Sequence, residues 1–119
     1  DYLVLSLPDS PQTRDIINAD ILEKLNNSAM IINVGRGTAI NEEDLSDALN
    51  GEKIAAAALD TTKVEPLDAS SSLWTAKNCF ISAHDSAHSL LSLERAFELF
   101  FINIKNIQNG QPIKNLYSE

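Results

Sequence analysis

The chain has 119 residues, 17 acidic and 9 basic, for a formal net charge of −8, within the range of one compact domain. Its single cysteine, Cys79, excludes an internal disulfide framework and a cysteine zinc site and points to a reducing, cytoplasmic setting. The acidic balance, with no Lys/Arg cluster to reverse it, argues against nucleic acid and against a membrane surface as partners.

The longest apolar stretch, Ile54 to Leu59, and the apolar-rich segment Phe97 to Ile102, which Glu98 interrupts, fall far short of the ~20 residues that span a bilayer. The opening Asp1-Tyr2-Leu3-Val4 carries no basic leader and reads as though entered in mid-fold. With 44% hydrophobic residues and few glycines or prolines, the chain is expected to fold around one core.

Tyr2 to Leu7 is an apolar-rich run that stops at Pro8-Asp9-Ser10-Pro11, the pattern of a strand buried on both faces. Ile17, Ile21, Leu22 and Leu25 share a helical face, with Asn18 or Asp20 available to cap, so a short helix is expected over about Asn18 to Leu25. Met30 to Val34 is a second continuous run, ended by Gly35-Arg36-Gly37. Asn41-Glu42-Glu43-Asp44 resembles a capping box with acidic groups where the macrodipole favours them. The helix it starts should run from Glu42 to Asn50, with Gly51 ending it in the left-handed region.

Ile54 to Leu59 is an alanine-rich third strand with Asp60 at its carboxyl end, and Thr61 to Asn78 reads as a long loop of the kind that is usually functional. Cys79-Phe80-Ile81 is a short fourth strand leading into Ser82-Ala83-His84. Beyond it, apolar residues from Leu90 to Ile107 recur every three or four positions until Gly110, which predicts one helix of about twenty residues.

This alternation is that of an open parallel α/β sheet, whose ligands sit beyond the carboxyl ends of the strands. Arg36, Asp60, Glu65 and His84 each follow a predicted strand, so such a sheet gathers all four at one edge. A guanidinium between two glycines can fork onto a carboxylate, and a histidine beside a carboxylate can donate a proton near neutral pH. Each also has a plainer reading: a surface or capping arginine, a turn-forming aspartate, a solvated glutamate and a loop histidine bonded to backbone. His84 and His88 stand at metal-ligand spacing but without a helical setting, so no metal site is expected. Cys79, inside an apolar strand, reads as an inert core residue.

The segments Asn33-Val34-Gly35-Arg36-Gly37, Ala57-Ala58-Leu59-Asp60, Glu65-Pro66-Leu67 and Ser72-Leu73-Trp74, followed by Asn78 and His84, resemble the NAD-dependent D-isomer-specific 2-hydroxyacid dehydrogenases. Leu7-Pro8, Pro11 and Thr13 match that family just upstream, and Gly110-Gln111-Pro112 with Asn115-Leu116 resembles its carboxyl terminus. The resemblance implies the second half of a Rossmann-like nucleotide-binding sheet carrying a long C-terminal helix, with residues 89–119 returning toward a substrate domain absent from this chain. It also implies hydride transfer between NAD(H), with NADP not excluded, and a small 2-keto or 2-hydroxy acid. Arg36 then matches the residue that holds the substrate carboxylate and carbonyl, His84 the proton donor, and Glu65 the partner of that histidine. Asp60 matches the residue that binds the nicotinamide carboxamide. Leu7, Pro8, Thr13, Val34 and Gly35 match positions lining the cofactor site, and Ala87 stands near the nicotinamide where glycine is common. Glutamate at position 65 counts against the formate dehydrogenase branch, where glutamine is usual.

Two departures stand out. The family's Pro-His is Ala83-His84 here, followed by Asp85 instead of an apolar residue; and there is no G-x-G-x-x-G. The first βαβ unit and the N-terminal substrate domain are therefore expected to lie outside this chain, which alone should be inactive. The broad apolar face with Phe97, Phe100 and Phe101 points to cover from that N-terminal portion or from a second copy, a homodimer. The alternatives are a corepressor-like protein that senses NAD, and a dimerisation module with a relic site.

Overall fold

The computed structural model describes residues 1–116, which fall into two compact units that divide between Ser86 and Ala87. In the first unit β1 (Tyr2–Leu5), β2 (Met30–Asn33), β3 (Ala56–Leu59) and β4 (Cys79–Ile81) form a parallel sheet in the order β1-β2-β3-β4. The register puts Leu5, Asn33, Leu59 and Ile81 in one row. Val34 N–H donates to Leu5 O at 3.0 Å, Asp60 N–H to Asn33 O at 2.9 Å and Ser82 N–H to Leu59 O at 2.9 Å, extending the ladder one residue further. The segments that leave the strands therefore start from one level, at the carboxyl edge of the sheet.

Helices α1 (Ala19–Leu22) and α2 (Glu42–Asn50) pack on one sheet face, where Leu22, Leu45 and Leu49 meet Leu5, Ile31 and Leu59 in a continuous core. Each such fully buried side chain contributes about 1.5–3 kcal/mol. The α2 bounds match the sequence expectation. Asn41 Oδ1 accepts the Asp44 N–H at 3.3 Å, while the Asp44 carboxylate reaches across to the Ala19 N–H at 2.9 Å and caps α1. The reciprocal half of the expected capping box is thus spent on joining two helices.

Several expectations are corrected. β1 ends at Leu5, and only one of its faces is covered: Tyr2 is 71% and Val4 57% exposed, because both described helices of this unit that pack on the sheet lie on the other side. α1 stops at Leu22, since the chain tightens to three-residue bonds, Lys24 N–H to Ile21 O and Leu25 N–H to Leu22 O. Gly51 has φ −80°, and Glu52 is the residue in the left-handed region, at φ 56°. β3 begins at Ala56, and the loop from Thr61 carries a 3₁₀ turn over Ser72–Trp74 that buries Leu73.

The second unit is built on α3 (Ser92–Gln108), somewhat shorter than the expected twenty residues. It ends at Gly110, whose φ of 65° permits the Gln111 N–H to return to Asn106 O at 2.7 Å. The following segment lies back along the helix, with Asn103 bonded to both backbone groups of Lys114 and Asn106 Nδ2 donating to Pro112 O. Phe97, Phe100 and Phe101 are all more than half exposed. The end of the expected returning tail, residues 117–119, lies outside the described residues. No described helix is long and apolar enough to cross a membrane.

Candidate active site

Arg36 leaves β2 in a turn whose shape is set by close backbone contacts. A Cβ built on Gly35 would stand 2.6 Å from the Leu7 nitrogen, and one on Gly37 would overlap the Thr62 carbonyl and press on the Lys63 nitrogen. Only glycine lets the turn after β2 lie against the segments that follow β1 and β3. The Arg36 guanidinium donates through Nη1 to Gly35 O at 2.9 Å, and the residue is exposed.

Glu65 is placed by the loop after β3. Its Oε1 accepts the Thr62 N–H at 3.1 Å, and its Oε2 lies 2.8 Å from His84 Nδ1. The His84 hydrogen bond holds the Glu65 carboxyl below its ordinary pKa against the opposing effect of burial, helped by the Thr62 N–H and by the positive charges of His84 and Arg36. An ionised Glu65 accepts from Nδ1–H and leaves Nε2 of the same ring as the nitrogen that can carry and release a second proton.

His84 sits in the left-handed region, with φ 56°, where a residue other than glycine needs support. Asp60 supplies it. Asp60 Oδ1 accepts the Ser82 hydroxyl at 2.6 Å and the Asp85 N–H at 2.9 Å, and Oδ2 accepts the Ser86 N–H at 2.9 Å. These donors, the Ser82 hydroxyl foremost, hold the Asp60 carboxyl far below the usual carboxylate range although the residue is only 6% exposed.

Arg36, Glu65 and His84 line one cleft of about 290 Å³ with Asp9, Thr38 and Lys63. A second, more apolar cleft of about 530 Å³ is also lined by Glu65 and His84, together with Pro66, Leu67, Trp74 and Ile81. Of the positions matched to a cofactor site, Leu7 and Gly35 touch through backbone, Val34 is 40% exposed beside them, and Thr13 donates its hydroxyl to Pro8 O at 2.7 Å. The Asp60 carboxylate is engaged by the His84 loop, and Ala87 falls in the second unit. Gly37 and Asn33, which the sequence marked only as parts of the Asn33–Gly37 motif, take part in shaping the site. The available signal was an amide closing an apolar strand and a second glycine two residues past the first.

The described geometry coincides with a match of residues 1–86 to the family model for the D-isomer specific 2-hydroxyacid dehydrogenase, NAD binding domain. Hydroxypyruvate reductase of Blautia hydrogenotrophica is 36% identical over 95% of this chain and 35% of its own length. Glyoxylate reductase/hydroxypyruvate reductase of Mus musculus is 44% identical over 71% of this chain and 26% of its own. A D-isomer specific 2-hydroxyacid dehydrogenase of Xanthobacter autotrophicus Py2, solved with NADPH and MES, superposes with a TM-score of 0.87 at 35% identity, over 98% of this chain and 48% of that one. This chain spans about a third of the length of the curated relatives it matches.

Proposed function

This chain belongs to the D-isomer specific 2-hydroxyacid dehydrogenase family, within its NAD binding domain, and from that premise we propose that it forms the catalytic edge of an oxidoreductase acting on a small 2-oxo or 2-hydroxy acid. The observation that carries this reading is the cleft shared by Arg36, Glu65 and His84, with His84 Nδ1 2.8 Å from the Glu65 carboxylate. A cation that binds a carboxylate and a protonated imidazole that meets a developing alkoxide are the two groups that reduction of a 2-oxo acid requires of the protein.

The residues present fit the nicotinamide end of a dinucleotide. Leu7, Pro8, Val34 and Gly35 lie in the segments leaving β1 and β2, and the half-exposed Val34 offers a flat ring an apolar contact there. These residues would hold that end of the cofactor, which supplies the hydride when bound. No phosphate-cradling G-x-G-x-x-G occurs in the sequence, so the remaining contacts are assigned to segments outside it. The structural relative bound to NADPH supports accepting either NADH or NADPH.

In the direction of reduction Arg36 binds and orients the carboxylate of the 2-oxo acid. His84 delivers the Nε2 proton to the carbonyl oxygen as charge develops there, and Glu65 stabilises the imidazolium and keeps Nδ1 occupied. Glyoxylate and hydroxypyruvate, after which the relatives are named, are the first substrates to try. A homodimer is part of the same reading, supported by the exposed phenylalanines of α3.

The test is a spectrophotometric assay of the whole protein with NADH and NADPH and a panel of glyoxylate, hydroxypyruvate, pyruvate and branched 2-oxo acids. Consumption of reduced nicotinamide with at least one acid is expected; no turnover with any of them overturns the proposal.

A further inference from the structure

Asn33 occupies a place where the fold calls for an apolar side chain. It ends β2 on the buried face of the sheet, its neighbours in the register row are Leu5 and Leu59, with Ile81 beyond, and it is itself 0% exposed. A leucine or valine there would complete the row and add to the core. An amide in that setting costs free energy unless both of its ends are bonded. Both are, and to one short turn: Oδ1 accepts the Gly35 N–H at 3.0 Å, and Nδ2 donates to Arg36 O at 3.0 Å.

The two bonds fix the backbone on either side of the Gly35–Arg36 peptide. On the other flank Gly37 lies so close to the Thr62–Lys63 backbone that no Cβ fits between them. The turn is thereby held from within the sheet by Asn33 and from the neighbouring loop by contact at Gly37. Arg36 in turn bonds Gly35 O through its own side chain, so the guanidinium leaves from a peptide that Asn33 has oriented.

We propose that Asn33 is a positioning residue for Arg36: the buried amide trades core packing for a fixed guanidinium, and so serves capture of the substrate carboxylate rather than the proton or hydride step. This rests on the functional reading above. Neither amide bond reaches Glu65 or His84. Loss of the brace therefore acts on substrate binding, while the Glu65–His84 pair keeps its geometry.

The experiment has two parts. In the isotopically labelled chain, a scalar coupling across the hydrogen bond between the Gly35 amide nitrogen and the Asn33 side-chain carbonyl carbon is expected; its absence overturns the brace itself. In the whole protein, Asn33→Leu is expected to raise KM for the 2-oxo acid about tenfold or more, while kcat stays within about twofold and the dissociation constant of the reduced dinucleotide is unchanged. Asn33→Asp, which keeps the acceptor and loses the donor to Arg36 O, gives the same split if the leucine variant does not fold. An unaltered KM, or a loss spread equally over KM, kcat and cofactor affinity, overturns the proposal. Wild-type protein that turns over no 2-oxo acid removes the functional reading and the kinetic role with it, whereas the Gly35–Asn33 coupling still decides whether the brace exists.

Discussion

His84 Nδ1 lies 2.8 Å from Glu65 Oε2, and the two residues come from different loops, one after β3 and one after β4. Because β3 and β4 are paired in register, with Leu59 opposite Ile81, the loops start side by side, and a short reach brings carboxylate and imidazole together. The pairing of two strands has thus been converted into the pairing of an acid and its counter-charge.

Glu65 contributes to stability in a pH-dependent way. Its carboxyl is held below the ordinary value of 4.5, first by the hydrogen bond from His84, so its contribution is present above that pH and is lost as pH falls through the lower folded-state value. The side chain is 40% exposed, and solvent screening keeps the effect small. Urea unfolding of wild type and Glu65→Gln is expected to show the variant slightly less stable at neutral pH and the two converging in acid. A gap that widens as pH falls would contradict this account.

The Asp60 clasp should outlast ordinary aspartates. Its donors, the Ser82 hydroxyl first and the Ser86 side chain next, hold it well below the usual 3.8, so the Asp85 and Ser86 amides should remain protected from exchange while an unperturbed aspartate titrates. Asp60→Asn, which replaces one acceptor oxygen by a donor, should release both amides at every pH. Ser86 protection that survives the substitution would show that the carboxylate is not what holds the loop.

Gly37→Ala tests the close approach of two loops. The new methyl group would overlap the Thr62 carbonyl, and the expected loss is about 1–3 kcal/mol by denaturant unfolding, as for other overpacked sites. Gly110→Ala has open space around it, so its cost should come from the positive φ alone. Equal tolerance of both substitutions would mean that the turn after β2 can shift away from Thr62.

Burial, and secondarily the charge of Glu42, pushes the Cys79 thiol up to about 11. At neutral pH it should therefore be a thiol and react slowly with a disulfide reagent, reaching the rate of an unfolded-chain cysteine only after denaturation. The structure makes Cys79 a partly buried residue packed against the core instead of a core residue proper, and rapid labelling of the folded chain would contradict even that degree of shielding.

How far these features could be read from the sequence depends on the range of the forces that set them. α2 was legible to the residue because Asn41, the acidic first turn and the spacing of Leu45, Ala48 and Leu49 all act within the helix itself. The gathering of Arg36, Glu65 and His84 was legible at one remove, since a parallel sheet sends every strand's exit to the same edge. α1 was overextended because its apolar face continues to Leu25 while its backbone tightens. The exposure of Tyr2 and Val4 depends on which side of the sheet the helices take, and an unbroken apolar run carries no record of that choice. Asn33 and Gly37 were quoted as motif residues without a structural role for a related reason: the partners that explain them are turn carbonyls, amides and a loop brought near only by folding.

The most direct test of the central claim is a paired steady-state measurement on the whole protein, comparing His84→Ala with Arg36→Ala for a 2-oxo acid that the wild type reduces. His84→Ala should lower kcat by about 10²–10⁴-fold with cofactor affinity nearly intact, and Arg36→Ala should mainly raise KM for the acid. Loss of cofactor binding to the same degree in both variants, or full activity in either, would contradict the assignment of one cleft to proton donation and carboxylate binding.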